Sequence, residues 1–252
     1  GSEMCIRDRS WSRDFSLTPD AVEADLTPDV GAIMLTNLHN PSGVYATSEA
    51  LARVGELARS VNARVVVDEV YLDALQETDH APVATRDDVF VSTNSLTKSY
   101  GLAGVRVGWL IAEPEIVRRA LRVRDILDGV GSIPSETIGA VAFQHLDPLL
   151  ERAREILGPG AERFRSFMGT RSDLEWIVPI GGSVAFPRLL GVGDTRPFVN
   201  FAAKHFGVGV TPGSLFGEPK HFRVSVAGDP LVLDQGLEKL GEALDAWDPE
   251  AS

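Results

Sequence analysis

Between Ser95 and Gly108 the sequence reads Ser-Leu-Thr-Lys-Ser-Tyr-Gly-Leu-Ala-Gly-Val-Arg-Val-Gly. Lys98 stands three residues after Ser95 and eight before Arg106, with Gly101, Gly104 and Gly108 around them. A lysine amine can condense with an aldehyde to form an imine. A hydroxyl and a guanidinium can hold a phosphate together, each charge-assisted hydrogen bond contributing about 1.5–3 kcal/mol, and glycines let the backbone come close to it. An amine, an alcohol and a guanidinium set for a phosphorylated aldehyde point to pyridoxal 5'-phosphate. Taken singly, Lys98 reads as a solvated loop lysine and Arg106 as half of a surface ion pair worth at most about 1 kcal/mol. Their spacing carries the reading.

That cofactor is an electron sink, and a protein must orient it and tune its ring. Asp68 closes the run Val65-Val66-Val67-Asp68 and is followed by Glu69 and Tyr71. A carboxylate beside the ring nitrogen keeps it protonated, and a tyrosine can donate to the phenolic oxygen. Asn40, in His39-Asn40-Pro41-Ser42-Gly43, can donate to the same oxygen; the plainer reading is an Asn-Pro turn. Arg223, in His221-Phe222-Arg223-Val224-Ser225-Val226, can clamp a substrate carboxylate through paired N–H groups, or simply pair with an acid across a sheet. Lys98, once displaced from the imine, is placed to carry a proton, provided that burial and cationic neighbours lower its pKa.

The elements expected to position these residues alternate. Ala32 to Thr36, Arg64 to Asp68, Val89 to Thr93 and Val105 to Ala112 read as strands, rich in β-branched residues. Ala50, Leu51, Val54, Leu57, Ala58 and Val61 repeat at helical spacing after a Thr47 or Ser48 cap, and Pro114 opens another helix. Strand–helix–strand alternation predicts an α/β fold, a mostly parallel sheet with helices on both faces. Ligands then sit beyond the carboxyl ends of the strands, which is where Asn40, Asp68, Tyr71 and Ser95 fall. Ser135 to Met168 reads as mainly helical, with interruptions near Pro148 and at Gly158-Pro159. A smaller α+β C-terminal domain follows, with strands near Trp176 to Val178, Gly182 to Phe186, Val208 to Val210 and Phe222 to Val226. It closes with a helix capped by Asp229-Pro230. The boundaries expected are 1–10 for a non-native segment, 11–148 for a partial cofactor-binding large domain and 149–252 for the small domain.

The chain has 252 residues and a formal charge of −12. This argues against a nucleic-acid surface, which needs a basic face. Apolar runs such as Val107 to Ala112 are too short to span a bilayer. The single cysteine, Cys5, excludes an internal disulfide framework and fits a reducing cytoplasm. The opening Gly-Ser-Glu-Met-Cys-Ile-Arg-Asp-Arg resembles translated sequencing-adaptor sequence and is set aside with Cys5. The expectation is a gene truncated at its start.

With these residues in place, the chain resembles the class I/II aminotransferases of pyridoxal-phosphate fold type I. Asn40-Pro41-Ser42-Gly43 matches the family's Asn-Pro-Thr-Gly turn with serine for threonine. Asp68-Glu69-Val70-Tyr71 matches its Asp-x-x-Tyr, Ser95-x-x-Lys98 with Arg106 its lysine and phosphate pair, and Arg223-Val224-Ser225-Val226-Ala227 its carboxylate arginine. The motifs follow the family's order across nearly all of the chain after Trp11. The resemblance implies a transaminase that moves an amino group between an α-amino acid and a 2-oxo acid through a Lys98 Schiff base. It implies a homodimer when full length, an incomplete fold type I large domain, and a missing N-terminal third that carries the stacking aromatic and further phosphate ligands. This chain alone is then expected to be an incomplete piece of the enzyme, inactive where the missing part is needed. Two further readings share the motifs: a carbon–sulfur lyase or other eliminating enzyme of the same fold, and an aminotransferase-like effector domain of a transcription regulator.

Overall fold

The computed structural model describes residues 9–75 and 81–248; Cys5 and most of the adaptor-like opening lie outside them. The chain divides into two compact units. The sheet unit comprises Leu17–His39 and Tyr45–Ala153, and the C-terminal unit takes the described residues within Gly1–Ser16, Asn40–Val44 and Arg154–Ser252.

In the sheet unit, α1 (Pro19–Asp25) has proline at its first position, where no N–H is needed. Strand β1 (Ala32–Thr36), helix α2 (Ser48–Ser60) and strands β2 (Arg64–Asp68), β3 (Phe90–Ser95) and β4 (Gly108–Ile111) follow. The Thr47 hydroxyl caps α2 by accepting from the Ala50 N–H at 3.2 Å. The strands form one sheet in the order β1-β2-β3-β4, parallel except for β4, which runs antiparallel to β3 with Ser95 opposite Gly108. The expected mostly parallel α/β sheet is present. Its fourth strand starts later than Val105 because Ala103–Val105 form a 3-10 turn and Arg106 takes left-handed backbone at φ 56°.

Leu51, Val54 and Ala58 of α2 pack against Ile33, Leu35, Val65, Val67 and Phe90 of the sheet. Fully burying a side chain of this size stabilises by about 1.5–3 kcal/mol. Gly55 lets α2 sit close, since a Cβ there would meet the Phe90 ring at 3.0 Å. Helices α3 (Pro114–Leu127) and α4 (Ile133–Phe143) follow the sheet, and Ala142 of α4 packs with Leu96, Tyr100, Val107 and Trp109.

The helical stretch breaks at Gln144–His145, the interruption expected near Pro148, but helix α5 (Leu146–Gly169) then runs unbroken through Gly158-Pro159, contrary to the second expected interruption. Pro148 falls in its first turn, where the amides have no intrahelical acceptor, and the helix carries Pro159 in its interior. In the C-terminal unit, β5 (Leu174–Glu175), β6 (Val184–Ala185), β7 (Arg188–Leu189), α6 (Arg196–Phe206), β8 (Thr211–Pro212), β9 (Phe222–Ser225) and α7 (Pro230–Ala246) follow. β9 lies between β6 and β8, and β5 pairs with β7. Two strands are displaced by a few residues from their expected places. Trp176, Val208 and Val210 pack against the apolar core, and the neighbouring Leu174–Glu175 and Thr211–Pro212 take the ladder. Asp229 caps α7 by accepting from the Leu231 and Val232 amides, as expected.

Candidate active site

The ends of the parallel strands set the site in the sheet unit. Thr36 and Asp68 are paired in register at the carboxyl ends of β1 and β2, and Ser95 ends β3. Because β4 is antiparallel, its start at Gly108 lies at the same edge, so Arg106 reaches that edge from the other end of the loop that holds Lys98. The loop is held by main-chain bonds: Leu96 N–H donates to Val107 O at 3.0 Å, Gly101 N–H to Lys98 O at 3.0 Å, and Leu102 N–H to Leu96 O at 2.9 Å. The Ser95 and Thr97 hydroxyls are 2.6 Å apart. A Cβ at Gly108 would stand 3.0 Å from Asn94 O and 3.3 Å from Ser95 Cβ, so glycine keeps the loop's two ends close.

The Lys98 ammonium lies 5.9 Å from the Tyr71 ring centroid. Asp68 is half-buried, and burial raises its pKa; the Val70 N–H, 3.2 Å away, and the charge of Lys98 pull the other way. A partly dehydrated carboxylate gains most from a cationic partner. Lys98 and Arg106 are exposed among the described residues. Neither cation forms a salt bridge among the described residues, whereas Arg53, Arg59, Arg64, Arg118, Arg124, Arg171 and Arg196 all pair with carboxylates. The ion-pair reading of Arg106 is therefore not realised.

In the C-terminal unit the structure brings Asn40 and Arg223 together across 183 positions, the guanidinium donating to Asn40 Oδ1 at 3.1 Å. Arg223 sits on the middle strand β9, and it too forms no salt bridge among the described residues.

Several supporting residues had no signal in the spacing. One oxygen of Asp73 accepts from both Asn94 Nδ2 and the Tyr100 hydroxyl, each at 2.8 Å. This ties the turn after Tyr71 to β3 and to the lysine loop. Ser99 donates to Val70 O at 2.8 Å, a second tie between the same segments. The buried Glu69 accepts from the Val83 N–H at 3.0 Å, so it braces the site from behind.

The profile of the aminotransferase class I and II family matches residues 3–240. The chain belongs to that family. Among its relatives, capreomycidine synthase of Streptomyces vinaceus is 29% identical over 91% of this chain and 60% of its own length. A probable N-acetyl-LL-diaminopimelate aminotransferase of Bacillus subtilis is 31% identical over 95% of this chain and 62% of its own. The crystal structure of a PLP-dependent aminotransferase from Streptococcus suis superposes with a TM-score of 0.86 at 26% identity, covering 91% of this chain and 61% of that one. The chain thus spans about three-fifths of the length of the relatives it matches. Pyridoxal phosphate is the cofactor of the family, and the residues at the sheet edge fit it chemically. They comprise an amine with no salt bridge among the described residues, a carboxylate whose charged form is disfavoured by burial, a phenol beside the amine, and a hydroxyl and guanidinium at the two ends of one loop.

Proposed function

We propose that the protein to which this chain belongs is a pyridoxal-phosphate aminotransferase, passing an amino group from an α-amino acid to a 2-oxo acid. The observation that carries this is that Asp68 and Ser95 end parallel strands at one edge of the sheet, that the antiparallel turn into β4 brings Lys98 and Arg106 to that edge, and that Tyr71 lies beside Lys98. Lys98 would hold the cofactor's aldehyde, Ser95 and Arg106 its phosphate, Asp68 its ring nitrogen, and Tyr71 with Asn40 its phenolic oxygen. When bound, the group supplies an electron sink for the bonds at the substrate's Cα. Lys98, as a general base, takes the Cα proton and returns it. Arg223 grips the α-carboxylate through paired N–H groups and so orients Cα. The reading includes a homodimer, a cytoplasmic site of action, and neither nucleic-acid nor membrane partners. A dimer is supported by Ile126, Leu127, Val130 and Ile133, all strongly exposed at the α3–α4 turn. No helix among the described residues is long and apolar enough to cross a membrane.

The test is to incubate the 252-residue chain with pyridoxal phosphate, reduce with borohydride and map the peptides. An adduct on Lys98 that disappears in Lys98→Ala is expected. Labelling confined to Lys204, Lys220 and Lys239 in folded protein refutes the assignment.

A further inference from the structure

We propose that Phe216 is a positioning residue for Arg223, fixing the plane of the guanidinium before a carboxylate arrives. This rests on the reading of Arg223 as the carboxylate clamp. The guanidinium carbon lies 4.9 Å from the Phe216 ring centroid, and one of its N–H groups is held by Asn40 Oδ1 at 3.1 Å. One face and one edge of the fork are thereby set. A long side chain so restrained loses less freedom when it grips a planar anion, and an aromatic face holds a cation without competing for its N–H donors.

The ring itself is fixed by the core of the C-terminal unit, so it can impose an orientation. Phe216 meets Phe186 edge-on at 5.7 Å and 83°, and Phe186 stacks on the buried His221 at 4.8 Å and 18°. Trp11 and Phe15 close the cluster from the chain's start, their centroids 5.1 and 5.7 Å from the His221 ring. The turn Gly213–Phe216 is anchored by Gly213 N–H donating to His221 O at 2.7 Å. A Cβ at Gly213 would collide with the carbonyl oxygens of Glu218 and His221, so only glycine lets the turn lie there. The chain from His221 to Arg223 thus carries, two residues apart, the imidazole that supports the aromatic cluster and the guanidinium the cluster faces.

The experiment is calorimetric titration of the 252-residue chain with pyruvate, using pyruvamide as the control without a carboxylate. Phe216→Leu keeps apolar bulk and removes the π face; it should weaken pyruvate about fivefold, or about 1 kcal/mol. Phe216→Tyr should stay within about twofold of the parent, because the face is restored. Arg223→Lys should lose at least about tenfold, because a bidentate fork becomes a point charge. A separate readout is the Arg223 Nε–H proton, which the ring current shifts upfield; Phe216→Leu should release that shift and Phe216→Tyr keep it. Unchanged affinity in Phe216→Leu beside a loss in Arg223→Lys overturns the positioning role alone. Pyruvate binding that is absent from the parent chain, or indifferent to Arg223→Lys, overturns the carboxylate reading beneath it.

Discussion

Replacing Gly160 by alanine sets helix propensity against packing. Gly160 lies inside α5, where alanine is favoured over glycine by about 0.8–1.0 kcal/mol. Propensity alone therefore predicts a more stable protein. The residue is buried, however, and a Cβ there would run into the Val226 carbonyl oxygen, with the Val226 carbonyl carbon at 3.2 Å and Leu233 Cδ2 at 3.6 Å. The first obstacle is backbone, and it sits one residue beyond β9, whose Val226 N–H donates to Ser183 O at 2.9 Å. It cannot swing aside as a side-chain end would. Either α5 or the end of β9 must move, and overpacking of this kind costs about 1–3 kcal/mol and occasionally more. The balance is a net loss of up to about 2 kcal/mol. In a chain of this length that lowers Tm by about 2–4 °C per kcal/mol. The assay is thermal unfolding followed by circular dichroism, with Gly169→Ala as the comparison, since nothing lies within 4 Å of a Cβ at that helix end. A Tm raised by Gly160→Ala, or a change equal to that of Gly169→Ala, would mean the close approach of α5 to Val226 is not rigid, and the packing argument would fail.

Three further outcomes follow from the site and its supports. His221 is buried, and burial, with the nearby Arg188 charge, pushes its pKa down from 6.5 to about 4, so the folded protein keeps it neutral while the unfolded chain protonates below about 6.5. Its contribution, about 3 kcal/mol, is present above pH 6.5 and lost as pH falls toward 4; His221→Phe should flatten that acid limb in a Tm–pH series, and an unaltered limb counts against it. Tyr100→Phe removes the 2.8 Å bond to Asp73 and should cost about 0.5–1.5 kcal/mol in urea unfolding; no loss would show that solvent satisfies the phenol equally well. Arg106→Gly relieves left-handed backbone at φ 56° but removes the proposed phosphate ligand. Stability should stay within about 1 kcal/mol, while affinity for pyridoxal phosphate falls at least about tenfold and affinity for unphosphorylated pyridoxal does not. Equal losses for both compounds would remove Arg106 from the phosphate site.

Much of the sheet was legible because its signals are local. β2 is a β-branched run ending in an acid, and α2 has both a hydroxyl cap and an apolar stripe. The displaced small strands were not legible, since a two-residue strand such as Thr211–Pro212 owes its place to the partner Arg223–Phe222 rather than to its own pattern. The break expected near Pro148 is there, two residues before α5, with Pro148 in the first helical turn where proline is tolerated, whereas α5 runs on through Gly158-Pro159, where a second break was expected. The chemical residues were readable as types at a spacing. Asp73, Tyr100 and Phe216 were not, because a carboxylate shared by an amide and a phenol, or a ring under a guanidinium, exists only after the chain has folded.

The antiparallel entry of β4 has a consequence for the order of assembly. Ser95 and Gly108 are paired across only 13 positions, whereas Ala32 pairs with Arg64 across 32. With loop-closure entropy growing as the logarithm of length, joining β3 to β4 costs about 0.8 kcal/mol less than joining β1 to β2. The hairpin carrying Ser95, Lys98 and Arg106 is thus the least costly strand pairing in the sheet to nucleate, and the parallel strands add to a template that already bears half of the proposed cofactor ligands.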